Sequence, residues 1–281
     1  MKRIIAIILS AVLLCTALVS CGNASSSDLE KVRSNGKIVV GMECAYAPYN
    51  WTVSTASETT HPISNSTGSY ADGYDVAIAK LIAEGLGVSL EIKAIEWDGL
   101  IPALEAGEID MIIAGMSPTE ERKLSISFSD TYFDSNLVMV VRKDGAYANA
   151  TAISDFGGAK VTGQLNTFHY NVIDQIAGVN KTTALQDFSA LIQSLESGAI
   201  DGYVCEKPGA ISAVASNPDF TYVEFAAGNG FSCDPAESSI SVGIRQNSDL
   251  VDSINAVING LTTAEKEAIM NAAIERQPDA E

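Results

Sequence analysis

An internal repeat decides the fold of this chain: residues 100–110 read LIPALEAGEID and residues 191–201 read LIQSLESGAID. Seven of the eleven positions match, at an offset of 91. In both copies apolar residues recur at i, i+1 and i+4, which is typical of the inner face of a helix. Gly107 and Gly198 stand where a left-handed helix cap belongs. Short apolar strands follow at 111–113 and 203–205, so the repeat predicts two helix–strand units.

Strands and helices alternate around this repeat. Candidate strands begin at 39–41 and 161–163, and helical periodicity covers 75–86. Alternation of this kind favours parallel βαβ units. Extended crossovers are predicted at 128–142 and 239–244, followed by helices at about 248–260 and 263–275. We therefore expect an α/β chain of two similar lobes that leaves the first lobe and returns to it, with a surface loop at 54–69.

The N-terminus predicts export. Residues 1–3 are basic, and the apolar run at 4–19 is shorter than the ~20 residues of a membrane-spanning helix. Residues 18–21, LVSC, resemble the lipobox of bacterial lipoproteins, in which the cysteine carries the lipid. We expect a signal peptide at 1–20, lipidation of Cys21 and a flexible tether at 21–27. The alternative is an ordinary signal peptide with an incidental cysteine.

Composition narrows the possible partners. A formal charge of −18 argues against nucleic acid. Beyond Cys15 and Cys21, the cysteines are Cys44, Cys205 and Cys233, and both one disulfide with a free thiol and three free thiols are open. The chain has no CxxC pair and no histidine cluster, so neither a metal site nor a cofactor is predicted.

Candidate binding residues collect on and near four loops that follow predicted strands. Ligands of open α/β sheets bind beyond the carboxyl ends of the strands. Arg122 can hold a carboxylate through two parallel hydrogen bonds, and Glu206 can accept from an ammonium group. The supporting N–H groups and hydroxyls belong to Gly115, Ser117 and Thr167, and the flat apolar surfaces to Tyr46, Trp97 and Phe168.

Each candidate also has an ordinary structural alternative. Arg122 can be a solvated charge at a helix start, and Glu206 a surface acid after a strand. Tyr46 and Trp97 can be core aromatics, and the hydroxyl residues can be capping residues. A carboxylate receptor, an ammonium receptor and aromatic surfaces in the same loops favour a site for a small zwitterion.

Five motifs carry a family resemblance. The most specific is AGMSPTEER at 114–122, followed by FSD at 128–130. The others are GMECAYAPY at 41–49, GYDV at 73–76, WDGLIPAL at 97–104 and GEID at 107–110. Together they resemble the polar amino acid-binding proteins of bacterial ABC importers, the extracellular solute-binding proteins of family 3. The likeness covers nearly the whole chain after the tether.

The resemblance implies a type II periplasmic-binding-protein-like fold, with a mixed sheet flanked by helices in each lobe and a two-strand hinge. Lobe 1 is expected at 28–134 and 239–281, lobe 2 at 137–236, and the hinge near 134–136 and 235–239. The implied ligand is a free L-amino acid, and the implied partners are the permease and ATPase subunits of an ABC importer. We expect a monomer, held by its lipid on the outer face of the cell membrane or in the periplasm.

The resemblance also assigns roles position by position. Arg122 matches the arginine that binds the ligand's α-carboxylate, and Glu206 matches the acid that receives the α-ammonium, where aspartate is more usual. Tyr46 and Trp97 match the aromatic residues that stack on the ligand side chain. Glu43 matches an acid that contacts the distal amine of cationic ligands. Because of this acid, arginine or lysine is favoured over glutamine or another neutral amino acid.

One loop departs from the family, and two other functions compete. Residues 166–169 read NTFH where the family has Gly-Thr-Thr-Gln, so the contacts of Thr167 and Phe168 are the least supported. A dehydratase-like enzyme or a ligand sensor can be built on the same fold. Neither His61 nor His169 has an evident catalytic partner in the sequence, so binding without catalysis is expected.

Overall fold

The computed structural model describes residues 27–234 and 238–277. In these ranges the helices α1–α9 are Asp28–Asn35, Tyr74–Leu86, Leu100–Glu105, Glu120–Lys123, Phe168–Asn171, Phe188–Glu196, Lys207–Ser216, Leu250–Gly260 and Thr263–Arg276. The strands β1–β14 are Lys37–Met42, Ala45–Tyr46, Asn50–Val53, His61–Pro62, Tyr70–Asp72, Ser89–Ala94, Met111–Ile112, Ile126–Asp134, Leu137–Arg142, Lys160–Thr162, Asn180–Lys181, Gly202–Glu206, Phe220–Val223 and Ser239–Arg245.

Some predicted features lie outside the described residues. They are the signal peptide, the lipidation site, the tether apart from Ser27, and hinge residues 235–237. Among the helices within the described ranges, none is long and apolar enough to cross a bilayer.

The first sheet has the strand order β6-β1-β7-β14-β8. β1 runs parallel to both β6 and β7, whereas β14 runs antiparallel to β7 and β8. Strands β8 and β14 come from the predicted crossovers at 128–142 and 239–244. The sheet is mixed because these crossover strands join it.

The second sheet has the order β11-β10-β12-β9-β13 and repeats this plan. β10 runs parallel to β11 and β12, while the crossover strand β9 is antiparallel to β12 and β13. The mixed sheets expected from the family resemblance are therefore confirmed. The parallel units predicted from the alternation of strands and helices are present as β1 with β6 and β7, and as β10 with β11 and β12, while the antiparallel pairings come from the crossover strands.

The repeated stretch forms the same local structure twice. Helix α3 precedes β7 and helix α6 precedes β12, with Leu104 and Leu195 fully buried on their inner faces. Gly107 and Gly198 both have φ of 74°. This left-handed conformation favours glycine, which has no Cβ to clash with the backbone. The helix–strand prediction from the repeat is confirmed.

A small third sheet, with the order β2-β3-β5-β4, extends the first lobe. It takes in part of the segment predicted to be a surface loop at 54–69. His61 pairs with Ala71, and the neighbouring Ile63 forms a bridge to Ile92 and is buried. The loop prediction was wrong here, because these long-range pairings leave no mark in a Ser- and Thr-rich composition.

The last helix, α9, contacts both lobes. Arg276 at its end pairs with Asp72 of the small sheet, with 3.0 Å between Nε and Oδ1. The next residue, Gln277, donates from Nε2 to the carbonyl of Ser212 on helix α7 at 3.1 Å. Strands β8 and β14, which lead into the predicted hinge, also pair with each other. The exact lobe boundaries remain a prediction.

Candidate functional site

Loops from the two sheets meet at a cleft. The loops after β1 and β7 face those after β10 and β12, because parallel strands present their carboxyl ends at one edge of each sheet. Asn166, with φ of 56°, contacts the loops of the opposite side. Its side-chain nitrogen donates to Asp98 Oδ1 at 2.8 Å, and its carbonyl accepts from Trp97 Nε1 at 3.4 Å. The two lobes are therefore in contact across the cleft.

Arg122 is placed at this cleft by the short helix α4. Thr119 caps the helix, and the guanidinium of Arg122 donates to the carbonyls of Ser117 at 2.9 Å and Asn166 at 3.1 Å. The guanidinium carbon lies 5.0 Å from the centre of the Trp97 ring, within cation–π range. Burial lowers the pKa of Arg122 to about 10, so the group keeps its charge at neutral pH. Arg122 is a half-buried cation rather than a freely solvated one.

Glu206 is a buried anion at the end of β12, only 1% exposed. Tyr46, from the other lobe, donates its hydroxyl to Oε2, and His169 Nε2 lies 2.9 Å from Oε1. The histidine contact has the distance of an ion pair but not the alignment of a hydrogen bond, so Oε1 retains an acceptor position. Burial acts to raise the pKa of Glu206, but its contacts with His169 and Tyr46 outweigh burial and lower the pKa.

Glu43 lies behind Gln164. Its Oε1 accepts from Gln164 Nε2 at 3.0 Å, and its buried Oε2 has no hydrogen-bond partner among the described residues. Burial raises the pKa of Glu43 to about 7, and the nearby charges of Asp187, Glu96 and Asp98 add to that rise. The amide N–H of Gln164 thus occupies a position beside Glu43 that a positively charged group of a ligand can also take.

The cleft residues enclose a cavity of about 10 Å³. This is roughly the room of one water molecule, so a free amino acid can enter only when the lobes move apart. The cavity is lined by Tyr46, Trp97, Ala114, Gly115, Ser117, Arg122, Gln164, Thr167, Phe168 and His169. A wider groove of about 650 Å³ lies next to it and shares Trp97 and Arg122. The inner cavity is the better candidate site, because Tyr46 and His169, which contact Glu206, line only the inner one.

A buried network supports the loops of the first lobe. Asp75, at the start of helix α2, accepts from Tyr132 Oη and Asn50 Nδ2, each at 2.8 Å. Asn50 in turn accepts from the backbone N–H of Cys44 at 2.7 Å, and Tyr132 Oη accepts from that of Gly115 at 3.3 Å. Burial raises the pKa of Asp75 to about 6. Asp75 thus orients loops and does not line the cavity.

The structure brings the predicted residues together in two groups. Those that line the cavity are Tyr46, Trp97, Gly115, Ser117, Arg122, Thr167 and Phe168. Glu206 and Glu43 stand behind this lining, next to His169 and Gln164. The sequence reasoning assigned no role to Gln164, Asn166 or His169. The signal that could have found them is their position, since all three are polar residues shortly after β10: Gln164 and Asn166 lie in the loop, and His169 lies in the short helix α5 that follows it.

Two cysteine thiols adjoin the site. Cys44 follows Glu43 and Cys205 precedes Glu206, and both are buried and form no disulfide in the part of the chain that the structure describes. Burial raises the pKa of both thiols, that of Cys44 to about 12. Neither is ionised at neutral pH, so their role beside the cleft is packing.

The sequence profile of the bacterial extracellular solute-binding proteins, family 3, matches residues 38–272. The chain belongs to this family. The family consists of solute-binding proteins rather than enzymes. Among the relatives of this solute-binding protein is the arginine-binding extracellular protein ArtP of Bacillus subtilis, 26% identical over 90% of each chain. Another is the L-cystine-binding protein TcyJ of Escherichia coli, 28% identical over 82% of this chain and 79% of that one.

Solved structures confirm the two-lobed fold of this solute-binding protein. A glycine-to-alanine mutant of arginine-bound ArgBP from T. maritima is 30% identical, with a TM-score of 0.68, and the match covers 83% of this chain and 100% of that one. An amino acid ABC transporter substrate-binding protein from Streptococcus pneumoniae matches with a TM-score of 0.77 at 24% identity, covering 89% and 98% of the chains.

Proposed function

We propose that this protein is the substrate-binding component of an amino acid ABC importer, binding a free L-amino acid without changing it chemically. The observation that carries the proposal is a cation and an anion from opposite lobes at one cavity. Arg122 comes from the first lobe and Glu206 from the second. An α-amino acid presents a carboxylate and an ammonium group that pair with these two charges.

Lobe closure follows from this placement of charges. A ligand that touches both Arg122 and Glu206 makes more contacts when the lobes are shut, so its binding shifts the population towards the closed form. The permease then recognises that closed form. The polar contacts of Asn166 across the cleft support the same movement, because they exist only when the lobes meet.

The ligand class we propose is a cationic amino acid, arginine or lysine. Glu43 supplies a buried acid, and the donor that now meets it, Gln164 Nε2, stands in for a guanidinium or ammonium group. The guanidinium of Arg122 already lies over the face of Trp97. Trp97 therefore attracts a cationic ligand side chain less strongly than an aromatic ring with both faces free. The acid is therefore the stronger argument. Relatives that are named as arginine-binding support this choice.

A neutral amino acid such as glutamine is the second candidate. With a pKa of about 7, Glu43 is about half protonated at neutral pH and can donate a hydrogen bond to an amide oxygen. Histidine-, cystine- and glutamine-binding proteins also occur among the relatives.

Calorimetric titration against the twenty amino acids tests the proposal. The purified protein is first stripped of bound ligand by unfolding and refolding. We expect tight binding of arginine or lysine. Tight binding of glutamine instead would agree with the proposed role in transport but would contradict the proposal that the ligand is cationic. A folded protein that binds none of the twenty rejects the proposed function and reopens catalysis and sensing.

Proton release on binding distinguishes the two ligand classes. A cationic ligand favours ionised Glu43, so its binding lowers the pKa of Glu43 from about 7 and releases about half a proton at pH 7. Affinity for arginine should rise with pH up to about 7 and then level off. Glutamine should release none through this residue. The measurement is the binding enthalpy in buffers of different ionisation enthalpy.

Glu43→Gln is the matched variant for that experiment. It keeps a hydrogen-bonding side chain but cannot release a proton, so arginine binding should weaken and its proton release should disappear. Equal proton release by the variant and the unmodified protein would show that Glu43 does not meet the ligand's charge.

We also propose that the protein is a lipid-anchored monomer on the outer face of the cell membrane. The support is the LVSC motif at 18–21 after an apolar run. Cys21→Ser should move the protein from the membrane fraction to the soluble fraction without changing its ligand affinity. If the variant stays with the membrane after a high-salt wash, the anchor is elsewhere. Light scattering of the released protein measures its mass and tests the monomer.

A further inference from the structure

His169 is a buried titratable group inside the candidate site. Its side chain lines the inner cavity, and its Nε2 lies 2.9 Å from Glu206 Oε1. Its other ring nitrogen, Nδ1, is buried and meets no hydrogen-bond partner within residues 27–234 and 238–277. The imidazole packs against Phe168 and Phe188, with ring centres 4.4 Å and 6.4 Å away. His169 therefore stands beside the carboxylate that the proposed function gives to the ligand's ammonium group.

The charges around this pair come from both lobes. Groups whose charges interact with Glu206 are Tyr46, Tyr49, Asp75, Arg122, His169 and Cys205. The three hydroxyl and thiol groups are neutral near pH 7 because burial raises each pKa. Arg122 stays charged and Asp75 is held in its own network. His169 is the group in contact with Glu206 that gains a charge as the solution becomes more acidic.

We propose that His169 competes with the α-ammonium group of the amino acid for Glu206, and so makes ligand affinity depend on pH. This inference rests on the proposed function. A neutral imidazole leaves Glu206 free to balance the ammonium charge. A protonated imidazole places two cations against one buried carboxylate, which opposes binding because like charges destabilise each other at short range.

The sign of the effect follows directly. The ligand's ammonium group and the protonated imidazole of His169 compete for the carboxylate of Glu206. Affinity for an α-amino acid therefore falls as pH falls through the range in which His169 gains its proton. A ligand that lacks the α-ammonium group does not compete with the imidazolium, so its affinity depends less on the charge of His169. Such a ligand leaves Glu206 without a cation, and the imidazolium then supplies the missing charge.

The test compares the unmodified protein with His169→Gln. L-arginine is titrated from about pH 8 to about pH 5, and the unmodified protein should lose about tenfold more affinity than the variant over this range. Glutamine keeps an N–H donor for Glu206 but takes up no proton. Glu43 and Asp75 titrate in the same range, but both are present in both proteins, so the ratio of the two affinities isolates His169.

The second arm changes the ligand. 5-Guanidinopentanoate, which is arginine without its α-amino group, should lose less affinity than arginine as pH falls in the unmodified protein. In His169→Gln the two ligands should respond to pH alike. If the variant does not fold by circular dichroism, this ligand comparison on the unmodified protein decides alone.

The outcomes separate this inference from the function on which it rests. Binding of arginine at pH 8 with equal pH dependence in the two proteins overturns the role of His169 and leaves the proposed function standing. Equal pH dependence for arginine and 5-guanidinopentanoate in the unmodified protein also overturns it. A folded protein that binds no amino acid at pH 8 overturns both.

Discussion

Replacing Arg122 with alanine should weaken amino acid binding by about 200- to 4,000-fold. Removing one partner of a buried ion pair costs about 3–5 kcal/mol, since the remaining charge is left without compensation. Here the remaining charge is the ligand's own carboxylate, enclosed between the lobes beside Trp97. Titration calorimetry against the amino acid that binds the unmodified protein most tightly measures the loss.

The variant Arg122→Lys separates the contribution of the charge from that of the hydrogen-bond geometry. Lysine keeps the positive charge but cannot donate two parallel hydrogen bonds, so most of the affinity should still be lost. Lys123→Ala is the matched control, because Lys123 is exposed and forms a surface pair with Glu120 at 2.8 Å. Its affinity should match that of the unmodified protein. Binding by Arg122→Ala within tenfold of normal would place the ligand's carboxylate elsewhere.

Glu206→Gln should weaken binding by about 30- to 1,000-fold. The substitution removes the charge that meets the ligand's α-ammonium, and loss of one partner of a buried charged pair costs about 2–4 kcal/mol. An amide also turns one acceptor into a donor next to the ammonium and next to Tyr46. The measurement is again calorimetric titration, with a thermal melt to establish that the variant is folded.

Glu224→Gln is the control for the second prediction. Glu224 pairs on the surface with Nζ of Lys207 at 2.8 Å, and Lys207 is the residue that follows Glu206 in the chain. Removing its charge should leave affinity unchanged. Equal losses from the two substitutions would mean that acidity of the second lobe in general, rather than Glu206, governs binding.

The local parts of the fold could be predicted from the sequence. The helices of the repeat and their glycine caps depend on residues three or four apart, so the pattern around Leu104 and Gly107 was sufficient. The pairing of the crossover strands was not predictable in this way. It joins residues more than a hundred positions apart, as between β8 and β14, and no local pattern records it.

The same division applies to the candidate site. Arg122 and Glu206 were predictable because both follow predicted strands, at the carboxyl ends where α/β sheets bind ligands, and because both match positions of the family. Gln164 and His169 were not, because their importance lies in which acid each meets. Gln164 meets Glu43 across the cleft, and this depends on how the two lobes close. Only the folded chain places these donors against those acids.

Trp97 gives the molecule an intrinsic optical signal. The chain contains two tryptophans, and Trp51 lies buried in the small sheet. Trp97 instead contacts Arg122 and donates to the carbonyl of Asn166 from the opposite lobe. When the lobes part, its indole loses this acceptor and meets water. Fluorescence emission therefore follows the opening of the cleft without any attached dye.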